Sequence, residues 1–153
     1  MDDSAMKITQ ESWAMVEKEV PHWPEIFYDQ MFADPSVAKL FPFSSGNFKE
    51  NPKFQEHTQK VKDTMHTAMT SIKEFDKLRP VLYKMGQRHV AYGTLPEHST
   101  NFKNAFLFTL KAGYGDKWNE DLDDAWNQCV DALLDPFTEG VSDAMAEQAD
   151  QAE

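Results

Sequence analysis

Residues 78–89 read LRPVLYKMGQRH and contain the most informative pattern of the chain. Residues that are three or four apart share one face of an α-helix. That spacing holds for Leu78, Leu82, Met85 and His89. Gly93 and Pro96 follow and should end the helix. The stretch therefore predicts a helix with one apolar stripe that finishes in a histidine.

A second histidine lies on an apolar face upstream, in residues 52–61, which read PKFQEHTQKV. His57 precedes Val61 by one helical turn, and the apolar spacing continues to Ile72, so we expect a long helix from Pro52 to about Ile72. An imidazole buried without a partner loses hydration of its ring nitrogens. Two such rings require a ligand, a metal or each other, and iron in a large apolar cofactor would satisfy both.

The rest of the chain also has helical spacing, without the alternation that marks strands. We expect a first helix from about Thr9 to Val20, and a second that Pro21 and Pro24 open and Asp34-Pro35 ends. A short turn over 35–40 and two long helices after Pro96 complete the pattern. The sequence predicts an all-α domain of about six to eight helices around one core.

Composition narrows the class of protein. The chain has 153 residues and a formal net charge of −11, and residues 116–153 hold twelve acids and one base. A polyanion such as nucleic acid would be repelled, so nucleic acid is not an expected partner. No apolar run is long enough for a membrane span and no secretory signal is present, so we expect a cytoplasmic protein.

Other sites that could carry chemistry are less persuasive. Zinc is disfavoured because the usual ligand spacings are absent and Cys129 is the single thiol, which we expect to be buried and inert. The run at 120–124 lacks the spacing of a calcium loop and suits a solvated helix start. We expect His66 and His98 at the surface. Trp118 and Trp126 fit surface and core positions better than an electron relay.

Taken together, these motifs resemble a globin over essentially the whole chain. The resemblance is carried by Pro35, by the triplet Phe41-Pro42-Phe43, by His57 with Val61, and by MGQRH at 85–89. His57 and His89 are 32 residues apart, similar to the two haem-facing histidines of that family. The stretches around them look closer to neuroglobin-like sequences than to myoglobin. The resemblance implies a three-over-three helical sandwich around haem b (iron protoporphyrin IX).

The resemblance also implies roles for individual residues. His89 matches the proximal ligand of the haem iron. His57 matches the distal histidine, which is a direct iron ligand only in a six-coordinate globin. Phe41 matches the phenylalanine that wedges against the porphyrin, and Val61 and Phe27 match residues of the ligand pocket. Remaining contacts to the cofactor fall on Lys60 and Arg88, as candidates for the haem propionates, and on Leu82, Met85 and Leu95.

Two functions are compatible with those roles. The first is reversible binding of dioxygen, for storage or transport, with CO and NO as further ligands and no enzyme activity required. The second is a bis-histidyl, six-coordinate globin that acts as a redox enzyme or gas sensor, with NO dioxygenase, nitrite reductase or peroxidase-type chemistry. A helical interaction module without haem is a third class, and both retained histidines argue against it.

The likeness to globins also suggests how the chain is organised. We expect a globin domain over residues 1–137 and an acidic C-terminal extension over residues 138–153, either frayed or a solvated helical continuation. No electron-transfer domain is visible in the chain, so a reductase would be a separate protein. A monomer and a homodimer fit equally well.

Overall fold

The structure is a computed structural model that describes residues 1–152 of the chain. Within those residues it contains seven α-helices and no strand, so the predicted all-α class is confirmed. The helices are α1 (Asp3–Glu19), α2 (Trp23–Met31), α3 (Pro35–Ala38), α4 (Pro52–Thr70), α5 (Phe75–His89), α6 (His98–Tyr114) and α7 (Glu120–Ala152). Single 3₁₀ turns at 48–50, 72–74, 90–92 and 115–117 join several of them.

Short polar side chains set where four helices begin. Each accepts a hydrogen bond from a backbone N–H of the first turn, which would otherwise have no partner. The capping residues are Asp2, Asp34, Asn51 and Asn119. The Asp2 cap explains why α1 begins at Asp3, well ahead of the predicted start near Thr9. At α3 and α4 a proline follows the cap, where its missing N–H costs nothing.

An aromatic cluster from four helices forms the centre of the core. Trp13 of α1 lies 5.2 Å from Trp23 of α2, 5.8 Å from Phe106 of α6 and 6.0 Å from Trp126 of α7, measured between ring centroids. The indole N–H of Trp126 donates to Ser12 Oγ at 2.9 Å, which satisfies its polar atom inside the core. This cluster fixes α1, α2, α6 and α7 relative to one another.

Helices α5 and α7 approach at two glycines. A methyl group added at Gly86 of α5 would overlap the backbone carbonyl of Phe137, and one added at Gly140 of α7 would overlap that of Tyr83. Both glycines are buried. The two backbones therefore touch directly, and the position of α5, which carries His89, is fixed by α7.

Helix α7 continues without a break across the boundary that the sequence suggested after residue 137. Pro136 lies inside the helix, and Val141 beyond it is only 1 % exposed. The acidic residues further along are exposed. The division into a domain and an extension stays a prediction, and Glu153 lies outside the described residues. Over residues 1–152, no helix combines the length and apolar character that a membrane span requires.

We expect Gly140→Ala to lower the free energy of unfolding of this protein by about 1–3 kcal/mol, because the added methyl group must push α5 and α7 apart. Urea titration followed by circular dichroism measures the change. Gly113→Ala is the matched control, since its methyl group meets the side chain of Val20 and not a backbone atom. Equal stability of the two variants would contradict the close backbone contact between α5 and α7.

Candidate functional site

The site begins with a hydrogen bond between α2 and α4. The hydroxyl of Tyr28 lies 2.7 Å from Nε2 of His57. Tyr28 is 4 % exposed, and burial raises the pKa of its phenol far above the ordinary value, so the hydroxyl keeps its proton. Within residues 1–152 this hydroxyl has no other hydrogen-bond partner. The consistent arrangement is therefore that Tyr28 donates and Nε2 of His57 accepts.

Aromatic rings surround the imidazole of His57. The ring centroids of Tyr28, Phe43 and Phe41 lie 5.3, 5.5 and 5.7 Å from that of His57. Phe54, one turn ahead of His57 on α4, packs against Tyr28 and Phe43. These apolar neighbours keep water from one side of the imidazole and leave Tyr28 as its polar contact.

His89 closes helix α5 and has its own hydrogen bond. Nδ1 of its ring lies 2.7 Å from the carbonyl oxygen of Met85, one turn earlier. A carbonyl can only accept, so Nδ1 carries the proton and Nε2 of the neutral ring has a free lone pair. Two aromatic rings flank the imidazole, with centroids 4.9 Å away for Phe137 and 5.5 Å away for Tyr92.

Both histidines are neutral at pH 7. Burial lowers the pKa of His57, and the nearby charges of Lys60 and His89 lower it further. Burial also lowers the pKa of His89 and outweighs the opposing effect of its bond to Met85. Two neutral imidazoles are the donors that a transition-metal ion such as iron accepts.

The remaining residues predicted for the site divide into two groups. Leu82 is buried, while Phe41, Val61 and Met85 are half-buried beside the histidines or one helical turn from them. Exposed side chains at the surface form the second group, which contains Lys60, Arg88 and Leu95. Exposed cations of this kind could meet the propionates of a haem group, and that role stays a prediction.

Two neighbouring rings of α2, those of Phe27 and Tyr28, have different surroundings. Phe27, expected over the ligand pocket, lies in the core against Trp23, Phe102 and Phe106, and the ring next to it, Tyr28, contacts His57. The pocket position of Phe27 is what the resemblance to globins implies. Tyr28 and Phe32 form a second row beside it, and helical spacing alone does not show which of the two rows lies nearer His57.

Cys129, His66 and His98 lie where the sequence predicts them. Cys129 is fully buried, and burial raises the pKa of its thiol to about 12, so it stays an unreactive thiol. His66 is exposed and pairs with Glu17, while His98 accepts a bond from the backbone of Leu95. Within residues 1–152 no three or more histidine, cysteine or carboxylate side chains cluster as a metal site.

A comparison with known families identifies the architecture. The sequence model of the globin family matches residues 25–136, a segment that contains Tyr28, His57 and His89. The chain is a globin. The predicted family and fold are therefore confirmed.

Two relatives of this globin have names that indicate different functional classes. It is 30 % identical over 128 residues to a leghemoglobin of Canavalia lineata, covering 82 % of this chain and 86 % of that one. It is 33 % identical over 134 residues to the anaerobic nitrite reductase AHB2 of Arabidopsis thaliana, covering 82 % and 84 %. Neither bears the name of neuroglobin, and the predicted likeness to neuroglobin stays a prediction.

A solved structure supports the fold. The hexacoordinated heme protein of an anhydrobiotic tardigrade superposes on this globin with a TM-score of 0.82 at 15 % identity, over 93 % of this chain and 96 % of that one. Family membership implies a haem cofactor. The residues present fit one, because His89 offers a neutral ring with Nδ1 committed to Met85 and the Nε2 lone pair free.

We expect the haem-free protein to lose stability as the pH falls below the ordinary histidine pKa of about 6.5. Both folded-state pKa values are lowered, so in this range the unfolded chain binds more protons than the folded chain. Urea titrations between pH 8 and pH 5 measure the effect. The double variant His57→Gln, His89→Gln should show a weaker dependence, and an unchanged dependence would contradict the burial of the two imidazoles.

Proposed function

We propose that this globin binds dioxygen reversibly on haem b, with His89 as the protein ligand of the iron. The hydrogen bond between Tyr28 and His57 carries this proposal, because it occupies the nitrogen through which His57 would otherwise reach the iron. Haem, when bound, would supply a ferrous iron to which a diatomic gas can bind reversibly. The residues of this chain would determine which side chains lie beside that gas.

The tautomer and the charge state of His89 suit a ligand of iron even when no cofactor is bound. The bond from Nδ1 to the carbonyl of Met85 favours the Nδ1–H tautomer of the ring, and it increases the basicity of Nε2. Burial keeps the imidazole neutral, so no proton must leave before Nε2 acts as a ligand. This arrangement supports His89 as the proximal ligand.

Tyr28 opposes coordination of the iron by His57. If Nε2 of His57 turned to a metal ion, the Tyr28 hydroxyl would lose its acceptor inside an apolar, buried site. An unsatisfied buried donor costs about 1–3 kcal/mol. This cost favours a five-coordinate resting state and leaves Tyr28 and His57 as a polar pair beside the gas-binding position. The Tyr28 hydroxyl is the donor of this pair, and it can turn from Nε2 of His57 toward the partial negative charge of a bound diatomic gas.

The apolar walls support reversible binding over oxidation. Phe41 and Phe43 enclose His57 on one side, and half-buried Val61 lies one turn further along α4. Apolar side chains lower the local dielectric and exclude water, and this disfavours charge separation between iron and ligand. Dioxygen, CO and NO are the ligands that suit such a pocket.

A second candidate function is redox chemistry with a six-coordinate resting iron. The relative from Arabidopsis thaliana is named an anaerobic nitrite reductase, and the tardigrade protein is named hexacoordinated. Such an activity would require a separate reductase. Placement in the cytoplasm and a monomeric or homodimeric state are also part of the proposal, and the net charge of −11 favours a partner with a basic contact surface.

Reversible oxygenation of the haem-loaded protein tests the proposal. We expect the reduced protein to form a dioxygen complex in air and to return to the ferrous spectrum under argon over repeated cycles. His89→Ala should fail to retain haem during gel filtration, because the proximal nitrogen is lost. Absorption spectroscopy measures both results.

His66→Ala is the matched control, because His66 is exposed and pairs with Glu17 on the surface. It should retain haem like the parent protein. Haem retention by His89→Ala would remove His89 from the proximal role. Immediate oxidation of the parent protein in air, with no oxygenated spectrum, would contradict reversible binding.

A further inference from the structure

The segment of α7 just beyond the family match lies against the proximal side of the site. The match ends at residue 136, and the next residue, Phe137, places its ring centroid 4.9 Å from that of His89. The two ring planes are inclined by 70°, an edge-to-face arrangement. Aromatic rings prefer this geometry, so the contact resists rotation of the imidazole.

The backbone around Phe137 has no freedom to move away. Its carbonyl oxygen lies where a side chain at Gly86 would be, and Gly140, one turn later, receives the carbonyl of Tyr83 in the same way. These are backbone contacts between two helices. They set the distance from Phe137 to His89 by close packing, which does not adapt as flexible side chains do.

A hydrogen bond holds the same crossing at the surface. The hydroxyl of Tyr83 on α5 donates to a carboxylate oxygen of Asp143 on α7 at 2.6 Å. This bond raises the pKa of Tyr83, and the charges of Asp143, Glu139 and Glu147 add to the effect, so the phenol stays protonated at neutral pH. The phenol therefore remains a donor, and its bond joins residue 143 to the helix that carries His89.

We propose that Phe137 is the positioning residue for the imidazole of His89, and that residues 137–143 of α7 form the support that holds it there. The hydrogen bond from Nδ1 of His89 to the carbonyl of Met85 orients one edge of the imidazole. The edge-to-face contact with Phe137 restrains the tilt of the imidazole plane about that bond. The inference rests on the proposed role of His89 in haem binding. It assigns a function to a part of α7 that the family match does not include.

The haem-loaded full chain provides the first test. In Phe137→Leu the iron–imidazole stretching band of the reduced, ligand-free protein should broaden and shift in resonance Raman spectra. Haem should leave the protein about tenfold faster, the change expected from loss of one aromatic contact. Phe137→Tyr, which keeps the ring, should restore the parent band. Phe108→Leu is the control for an exposed phenylalanine, because Phe108 is 47 % exposed, and it should change neither quantity.

A second readout does not depend on haem. Nitrogen-15 NMR of the haem-free protein at pH 8 reports which ring nitrogen of His89 carries the proton. The parent protein should show the Nδ1–H tautomer, and Phe137→Leu should show a mixture because the ring is released. This result separates the positioning claim from the proposed function, since a parent protein that binds no haem would still report its tautomer.

The outcomes decide the proposal directly. An unchanged Raman band together with an unchanged tautomer in Phe137→Leu would overturn it. If Phe137→Leu fails to fold, Tyr83→Phe decides, because Tyr83 lies at the surface and its loss removes only the bond to Asp143. That variant should broaden the band in the same direction by a smaller amount, and a band identical to that of the parent would overturn the role of residues 137–143.

Discussion

The proposed function of this globin depends on two hydrogen bonds of 2.7 Å, each of which occupies one nitrogen of a half-buried imidazole. At His89 the bond takes Nδ1 and leaves Nε2 free. At His57 the bond to Tyr28 takes Nε2, the nitrogen that would otherwise be available to a metal. The two histidines are the same residue type in similar surroundings, yet their hydrogen bonds occupy different ring nitrogens, Nε2 in His57 and Nδ1 in His89.

The rest of the fold holds those two bonds in place. Tyr28 belongs to α2 and His57 to α4, so the distal bond depends on the aromatic rings that pack these helices together, among them Phe54, which is 2 % exposed. On the other side α5 rests on α7 at Gly86 and Gly140. A change in either packing would move a helix that carries one of the two imidazoles. The packing of the helices therefore affects how the imidazoles of His57 and His89 are oriented.

Much of this molecule could be predicted from the sequence. Helical spacing indicated the all-α class, and the motifs around His57 and His89 indicated the family. The choice between Phe27 and Tyr28 could not be made in this way, because adjacent residues of a buried helix both face neighbours and their partners depend on how the helices cross. Close contact between α5 and α7 was also missed, since a glycine inside a helix usually lowers helix propensity and reveals its packing role only beside its partner.

The acidic end of the chain shows that net charge alone does not reveal the apolar contacts of α7. Residues 116–153 carry the whole negative excess, yet the helix there also contains Phe137, whose ring packs against His89, and the buried Val141. Charge describes the exposed face of α7, while its apolar face supports the site. The charged residues and the apolar residues of α7 thus lie on different faces of the helix.

We propose that Tyr28 keeps His57 away from the iron through its hydrogen bond to Nε2. The most direct test is the visible absorption spectrum of the reduced, ligand-free protein under argon, recorded for the parent and for Tyr28→Phe, with Tyr114→Phe as a control far from His57. The account predicts one broad band for the parent and the control, which indicates five-coordinate iron, and a shift toward sharp, split bands for Tyr28→Phe. Sharp, split bands in the parent protein would contradict it.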